Sequence, residues 1–366
     1  MEWQPGPARW RAAYRVVLHI RRLFRAWFCF FYARNKRAFG CSRAHFDYSA
    51  GMHEQHPSRD STRSSILTQV LRGIELNREP GFHFPGNFLA FSFDEVTPEQ
   101  ARMSMRGGAH CADESGQIAF TPALIFTDMA LGSSLRGRLQ RPTRVATVSM
   151  QLQFTGARWD GPLTSLSKFD AFFQGSSAQQ GVMHATVHNG NGELTCTGVA
   201  CFMVLPTPEG VKPPRMSRLA EGLDPPSITP ESLDESELGI YRHAQAALEK
   251  EGPFLSNFWN LNARRTAAGG AATLANGPYV GNRVRHVQGG VLTGLAEAAA
   301  RAALPAGWMP TGLSASFLSP GEGAKLTARA KILHKGGRTA VVQATVTGPD
   351  RKRVLELLVN YAAPAR

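Results

Sequence analysis

Between Asn282 and Glu297 the chain reads NRVRHVQGGVLTGLAE, and this run holds the residues whose types and spacing best suit chemistry. Two glycines, Gly289 and Gly290, open a stretch of helical pattern. The unpaired N–H groups and partial positive charge of a helix start favour an oxygen that gains negative charge, and glycine lets a reacting group approach the backbone closely. Further on, Glu297 stands among alanines on a helix that is apolar almost all round. An ionised carboxylate buried there without a partner is costly. It is therefore either a general base or nucleophile acting on a polarised carbonyl or, more blandly, a carboxylate that reaches solvent or a salt bridge. If both residues are helical they lie about 80° apart and ~12 Å along the axis. A shared site therefore requires Gly289 to belong to the preceding turn.

The elements that must position these residues occur twice. LTSLSKF (163–169) and LTARAKI (326–332) are followed by HATV (184–187) and QATV (343–346), alternating runs that read as half-buried antiparallel strands. Upstream lie two helical patterns, PALIFTDMALGSSL (122–135) and GVLTGLAEAAARAAL (290–304), the second closing at Pro305. One central helix wrapped by an antiparallel sheet, repeated twice, is α+β architecture. The expected organisation is a basic tail (1–51), a first domain (52–205), a proline-rich linker (206–234) and a second domain (235–366), with a further helix over 235–250.

The chain has 366 residues and a formal net charge of +13, enough length for two cored domains. Residues 1–50 carry ten Lys/Arg against Glu2 and Asp47, so the basic excess belongs mainly to the tail and is no nucleic-acid signal for the remainder. Arg21, Arg22 and Arg25 interrupt the apolar stretch, which excludes a membrane span or signal-peptide core. The tail reads as translated sequence upstream of a true start at Met52, so that 1–51 is not native. The alternative is an amphipathic segment on an anionic membrane or a targeting peptide. Five scattered cysteines with no C-x-x-C spacing suit a reducing, cytoplasmic setting and argue against a metal site.

The 282–297 run resembles the phenylacetate-pathway type of hotdog-fold acyl-CoA thioesterases. In that family a His-Gly-Gly turn opens the central helix, a carboxylate follows eight residues after the first glycine, and an amide precedes it by seven. Gly289, Gly290, Glu297 and Asn282 fall on those positions, while Gln288 replaces the histidine and His286 lies two residues earlier. The resemblance covers both halves from about residue 75 and implies tandem hotdog domains, a covalent version of the family's dimer. It also implies a site between the hotdogs with a hydroxyl lent by the opposing one, here Thr147 in RVATVSMQLQF (144–154). The first half's helix start has Phe120 and Thr121 where glycines should be, and Asp128 aligns with Glu297. The expectation is one working site built from Asn282, Gly289, Gly290, Glu297 and Thr147, with Asp128 a relic or part of a second site.

The implied activity is hydrolysis of acyl-CoA thioesters, with Glu297 as base or nucleophile and no metal or redox cofactor, since coenzyme A is part of the substrate. Substrate contacts are expected from Gln288 and His286, and phosphate contacts from Lys335 and Arg338 in KGGRT or from RKR at 351–353. A non-catalytic acyl-CoA-binding module is the alternative, and a hydratase or dehydratase a further one. HFPG (83–86) matches a dehydratase motif but precedes an expected strand, NFLAFSF (87–93), and reads as a loop that lines the pocket or packs on the core. GEGAKLT (321–327) lacks phosphate-loop spacing, and GLSAS (312–316) is no nucleophile elbow. His184, His188 and His243 read as strand or surface residues. Beyond acyl-CoA the expected partners are few: no nucleic acid, no stable membrane insertion, and an open question of homo-oligomers.

Overall fold

Strand formation follows the period-two alternation. In β11 (Thr339–Thr347), Ala340, Val342, Ala344 and Val346 face the core and the residues between them are exposed or half-buried. The computed structural model describes residues 59–78, 83–141, 143–175, 177–211, 216, 218–219 and 225–365. All belong to one compact unit, Pro57–Arg366. The basic tail and the choice of start at Met52 lie outside the described residues.

Twelve strands form one sheet in the order β1-β2-β4-β5-β6-β3-β9-β12-β11-β10-β8-β7. In chain order they are β1 (Phe91–Val96), β2 (Gln100–Met105), β3 (Arg144–Phe154), β4 (Leu163–Phe172), β5 (Gln180–His188), β6 (Leu194–Leu205), β7 (Arg264–Thr266), β8 (Gly269–Ala275), β9 (Met309–Phe317), β10 (Lys325–Lys335), β11 and β12 (Arg353–Ala362). Every neighbouring pair is antiparallel. The helices are α1 (Arg59–Arg78), α2 (Phe84–Phe88), α3 (Phe120–Leu139), α4 (Glu235–Leu248), α5 (Phe254–Phe258) and α6 (Gly289–Ala303). The α+β expectation holds. No helix among the described residues is long and apolar enough to cross a membrane.

Helix α3 packs on β1 to β6, and α6 on β7, β8 and β10 to β12. The small inward residues of β10 and β11 admit the Ala- and Leu-rich α6 closely. The two sets of strands meet at β3 and β9, paired from Ser149↔Ser316 to Gln153↔Gly312. Residues 144–148 of β3 lie beyond that ladder, and a register shift between Thr147 and Ser149 marks a bulge against β6. Bulges re-aim side chains, and this one sits where the seam between β3 and β9 opens.

Across this seam α3 and α6 run antiparallel. A Cβ on Gly290 would meet the Ile125 backbone, one on Gly294 the Thr121 side chain, and one on Gly289 the Asp128 carboxylate. Each helix start therefore lies beside the middle of the other helix.

Two local expectations need correction. NFLAFSF is not one strand: α2 takes Asn87 and Phe88, with Pro85 in its first turn, and β1 begins only at Phe91. The aromatic run is used for packing, since Phe84 lies 6.3 Å from Phe258 and Phe88 6.2 Å from Phe254 on α5. His243 is no surface residue: its ring stacks on Tyr279 at 4.2 Å and its Nε2 lies 2.6 Å from the Phe258 carbonyl oxygen.

Candidate functional site

Helix α6 starts at Gly289 with Gln288 as its N-cap. Gly289 is thus the first helical residue, not part of the preceding turn. Four N–H groups at a helix start have no partner within the helix. Here Gln288 N donates to the Val280 carbonyl at 3.1 Å and the Gln288 Oε1 accepts from Val291 N at 3.0 Å. The Gly290 N–H is directed at Asp128. The Gly289 N–H has no acceptor among the described residues.

Asp128, in the middle of α3, is the carboxylate at this helix start. It is buried at 4% exposure. Thr147 Oγ1 donates to its Oδ1 at 2.9 Å, and Gln288 Nε2 donates to its Oδ2 at 2.7 Å. The bulge in β3 aims Thr147, and the cap position aims Gln288, whose amide serves Val291 with one atom and Asp128 with the other. Burial raises the Asp128 pKa to about 6, against the stabilising pull of Thr147, Gln288, the Gly290 amide and Arg136. A carboxylate has about four lone-pair positions; three donors leave one for water or substrate.

The group opens on a cavity of about 450 Å³, lined by Asp128, Thr147, Gln288, Gly289, Asn282 and His286 among others. Asn282 Oδ1 accepts from Val284 N and His286 N, which shapes the 282–286 turn. Its Nδ2 has no acceptor among the described residues. His286 Nε2 lies 3.0 Å from a Glu322 carboxylate oxygen, and partial burial lowers its pKa. A Cβ on Gly289 would sit 3.0 Å from Asp128 Oδ2 and 3.3 Å from Thr147 Oγ1. Glycine therefore keeps this face open to a ligand.

Glu297 is not at this site, which corrects the expectation that it shares one with Gly289. The reason is the antiparallel helix pair: a carboxylate eight residues into one helix is carried to the start of the other. Glu297 lies instead by Ala119, Phe120 and Thr121, at a separate cavity of about 310 Å³. There it is 3% exposed, and its Oε1 accepts from Arg301 Nε at 2.9 Å and from the Tyr361 hydroxyl at 3.2 Å. The Arg301 guanidinium covers the Phe120 ring at 5.3 Å. Its nearest partner is thus the Arg301 guanidinium, in an internal salt bridge. Replacing Glu297 with Gln is accordingly expected to leave any turnover at the Asp128 site within about threefold of the parent, a change far smaller than loss of a general base gives. A steady-state assay checks this.

Lys335 and Arg338 also fall outside the site. The Lys335 Nζ stands 5.5 Å from the centroid of the Trp308 ring, and Arg338 is at the β10–β11 turn; neither lines the 450 Å³ cavity. The cations that do are Arg136, Arg144 and Arg283, none singled out by sequence reasoning. His83 of HFPG lines it too, as expected of that motif, but Phe84, Pro85 and Gly86 are the first turn of α2 rather than a loop. Among the described residues no cluster of His, Cys, Asp and Glu could hold a metal ion.

Residues 281–362 match the model of a family described as the acyl-CoA thioesterase N-terminal domain. No curated protein sequence matches the chain. Among solved structures, a hotdog-fold protein of unknown function from Alicyclobacillus acidocaldarius is similar with 12% identity and a TM-score of 0.46, over 78% of this chain and 99% of that one. The 12:0-ACP thioesterase of Umbellularia californica is similar with 8% identity and a TM-score of 0.45, over 72% and 93%. A Bacillus halodurans protein solved with CoA is similar with 22% identity and a TM-score of 0.34, over 38% and 100%.

Proposed function

We propose that this chain hydrolyses acyl-CoA thioesters at the seam between two hotdog units, with Asp128 in the role expected of Glu297. The observation that carries the reading is a buried carboxylate held against an open helix start, beside a cavity that reaches both. The family match over 281–362 supports the same chemistry, because it spans Asn282, Gln288, Gly289 and Gly290.

In this reading the thioester carbonyl oxygen takes the Gly289 N–H, with the Asn282 amide nearby, and the α6 dipole stabilises the charge that develops there. As general base, Asp128 removes a proton from water while the water oxygen attacks the carbonyl carbon. The tetrahedral intermediate collapses with C–S cleavage, and Asp128 returns the proton to the departing thiolate. Products are a carboxylic acid and the CoA thiol. As nucleophile, the carboxylate would itself attack and expel the thiolate, and water would then hydrolyse the mixed anhydride. Neither route requires a metal or redox group. Thr147 and Gln288 hold the carboxylate in place, and their hydrogen bonds favour its ionised form.

The test is CoA release from a panel of acyl-CoAs, measured against pH. Since the ionised carboxylate is the active form, kcat/KM should rise with pH and level off above an apparent pKa near 6. Thr147→Val removes a donor that stabilises the anion, so the rising limb should move to higher pH. Binding of acyl-CoA without thiol release at any pH would leave only a binding module.

A further inference from the structure

The same cavity has a second polar end. Arg136 lies two turns beyond Asp128 on α3 and lines the wall. Long helical side chains lean back toward the N-terminus, and Arg136 and Asp128 are close enough to act on each other's charge. A guanidinium has five N–H donors. Arg136 uses one on protein, Nη1 to the Thr143 carbonyl at 2.7 Å. No carboxylate among the described residues pairs with it, and burial lowers its pKa to about 10.

His83 stands in the same wall. Its Nε2 is out of reach of solvent and has no hydrogen-bond partner. Burial, Arg283 and Arg136 push its pKa down to about 3, so it is neutral and one ring nitrogen can donate. The wall as a whole carries three arginines against the single carboxylate of Asp128. A half-buried guanidinium with unused donors and an imidazole whose buried nitrogen lacks a partner face one cavity, and such groups are costly unless a ligand completes them.

We propose that Arg136 and His83 form an anion subsite for the acyl group, receiving a carboxylate at the far end of the chain, so that ω-carboxyacyl-CoA esters are the preferred substrates. This rests on the thioesterase reading of the Asp128 site. A phosphate of CoA is the competing anion. The pantetheine arm, however, holds the nearest phosphate about a dozen bonds from the sulfur, a longer reach than the ~12 Å of helix rise between Asp128 and Arg136. A short dicarboxylic acyl chain spans that distance.

The experiment compares succinyl-, adipyl- and suberyl-CoA with butyryl-, hexanoyl- and octanoyl-CoA, using the full chain and its Arg136→Met and Arg136→Lys variants, each checked for folding by thermal melting. The quantity read is the ratio of kcat/KM for the carboxylated substrate to that for its methyl-ended match. In the parent the best pair should favour the carboxylate by about tenfold or more. Arg136→Met should lower that ratio by about 10–100-fold, the worth of a charged hydrogen bond, and Arg136→Lys should restore part of it. A parent ratio near one, or an equal loss on both series, overturns the proposal. So does an unchanged ratio accompanied by weaker binding of 3′,5′-ADP, which would assign Arg136 to the nucleotide. If the parent cleaves no acyl-CoA, the thioesterase reading has failed and calorimetry with free adipate decides the subsite. Adipate binding that Arg136→Met abolishes supports it, and no binding to the parent overturns it.

Discussion

With Asp128 replaced by asparagine, thiol release from acyl-CoA should fall by about 10²–10⁴-fold, the range for loss of a positioned general base. Asparagine keeps the size of the side chain but can neither take the proton nor attack. The fold should survive, because the parent carboxylate is held at a cost. Its pKa is raised from 3.8 unfolded to about 6 folded, so the native state prefers the protonated form. Stability is highest below the unfolded value and is lost as pH rises through the folded one, by about 3 kcal/mol in total. Asparagine carries no such penalty. Melting curves at pH 4 and pH 7 should therefore show the variant gaining on the parent at the higher pH. A difference that stays constant with pH would mean that Asp128 is not buried as described, and undiminished turnover would remove it from the chemistry.

Gly290→Ala should be strongly damaging at the contact between the two helices. Its Cβ would lie 2.4 Å from Ile125 Cα and 2.8 Å from Ile125 N, and both are backbone atoms that cannot rotate away. The helices must separate, at a cost of about 1–3 kcal/mol or more. The same movement draws the Gly290 amide off Asp128 and shifts the Gly289 amide with it, and a misplacement of about 1 Å can cost ~10² in rate. Gly294→Ala is the matched control, since its Cβ meets only the Thr121 side chain, which can give. Urea unfolding and steady-state kinetics on both variants test the contrast. Equal effects would mean that the α3–α6 contact is looser than the close approach at Gly290 implies.

Most elements were legible because they repeat a local period. The Ala-rich pattern ending at Pro305 became α6, and the alternation in 163–169, 326–332 and 343–346 became parts of β4, β10 and β11. NFLAFSF misled because aromatic residues suit a strand and a packed helical turn equally. At the site, residue types were readable and partnership was not. Spacing along one helix ties Glu297 to Gly289, but the antiparallel register of two helices decides which carboxylate meets which helix start, and Gln288 and Asp128 are 160 residues apart in sequence. The clue was present in the equal spacing of Phe120 to Asp128 and of Gly289 to Glu297; exchanging the partners gives the observed pairs. Thr147 was found through a resemblance, while the bulge that aims it has no clear sequence signature. Arg136 looked like an ordinary basic residue closing a helix, and only the cavity wall distinguishes it.

The crossed arrangement bears on how such a molecule can diverge. In two identical copies, a bulky ring at the first helical residue would block both helix starts together, because each copy furnishes the amides of one pair and the carboxylate of the other. In this single polypeptide Phe120 stands at one helix start while Gly289 leaves the other open. At the Phe120 end the carboxylate is tied internally through Arg301 and Tyr361. Covalent linkage thus permits an asymmetry that a symmetric pair could not survive.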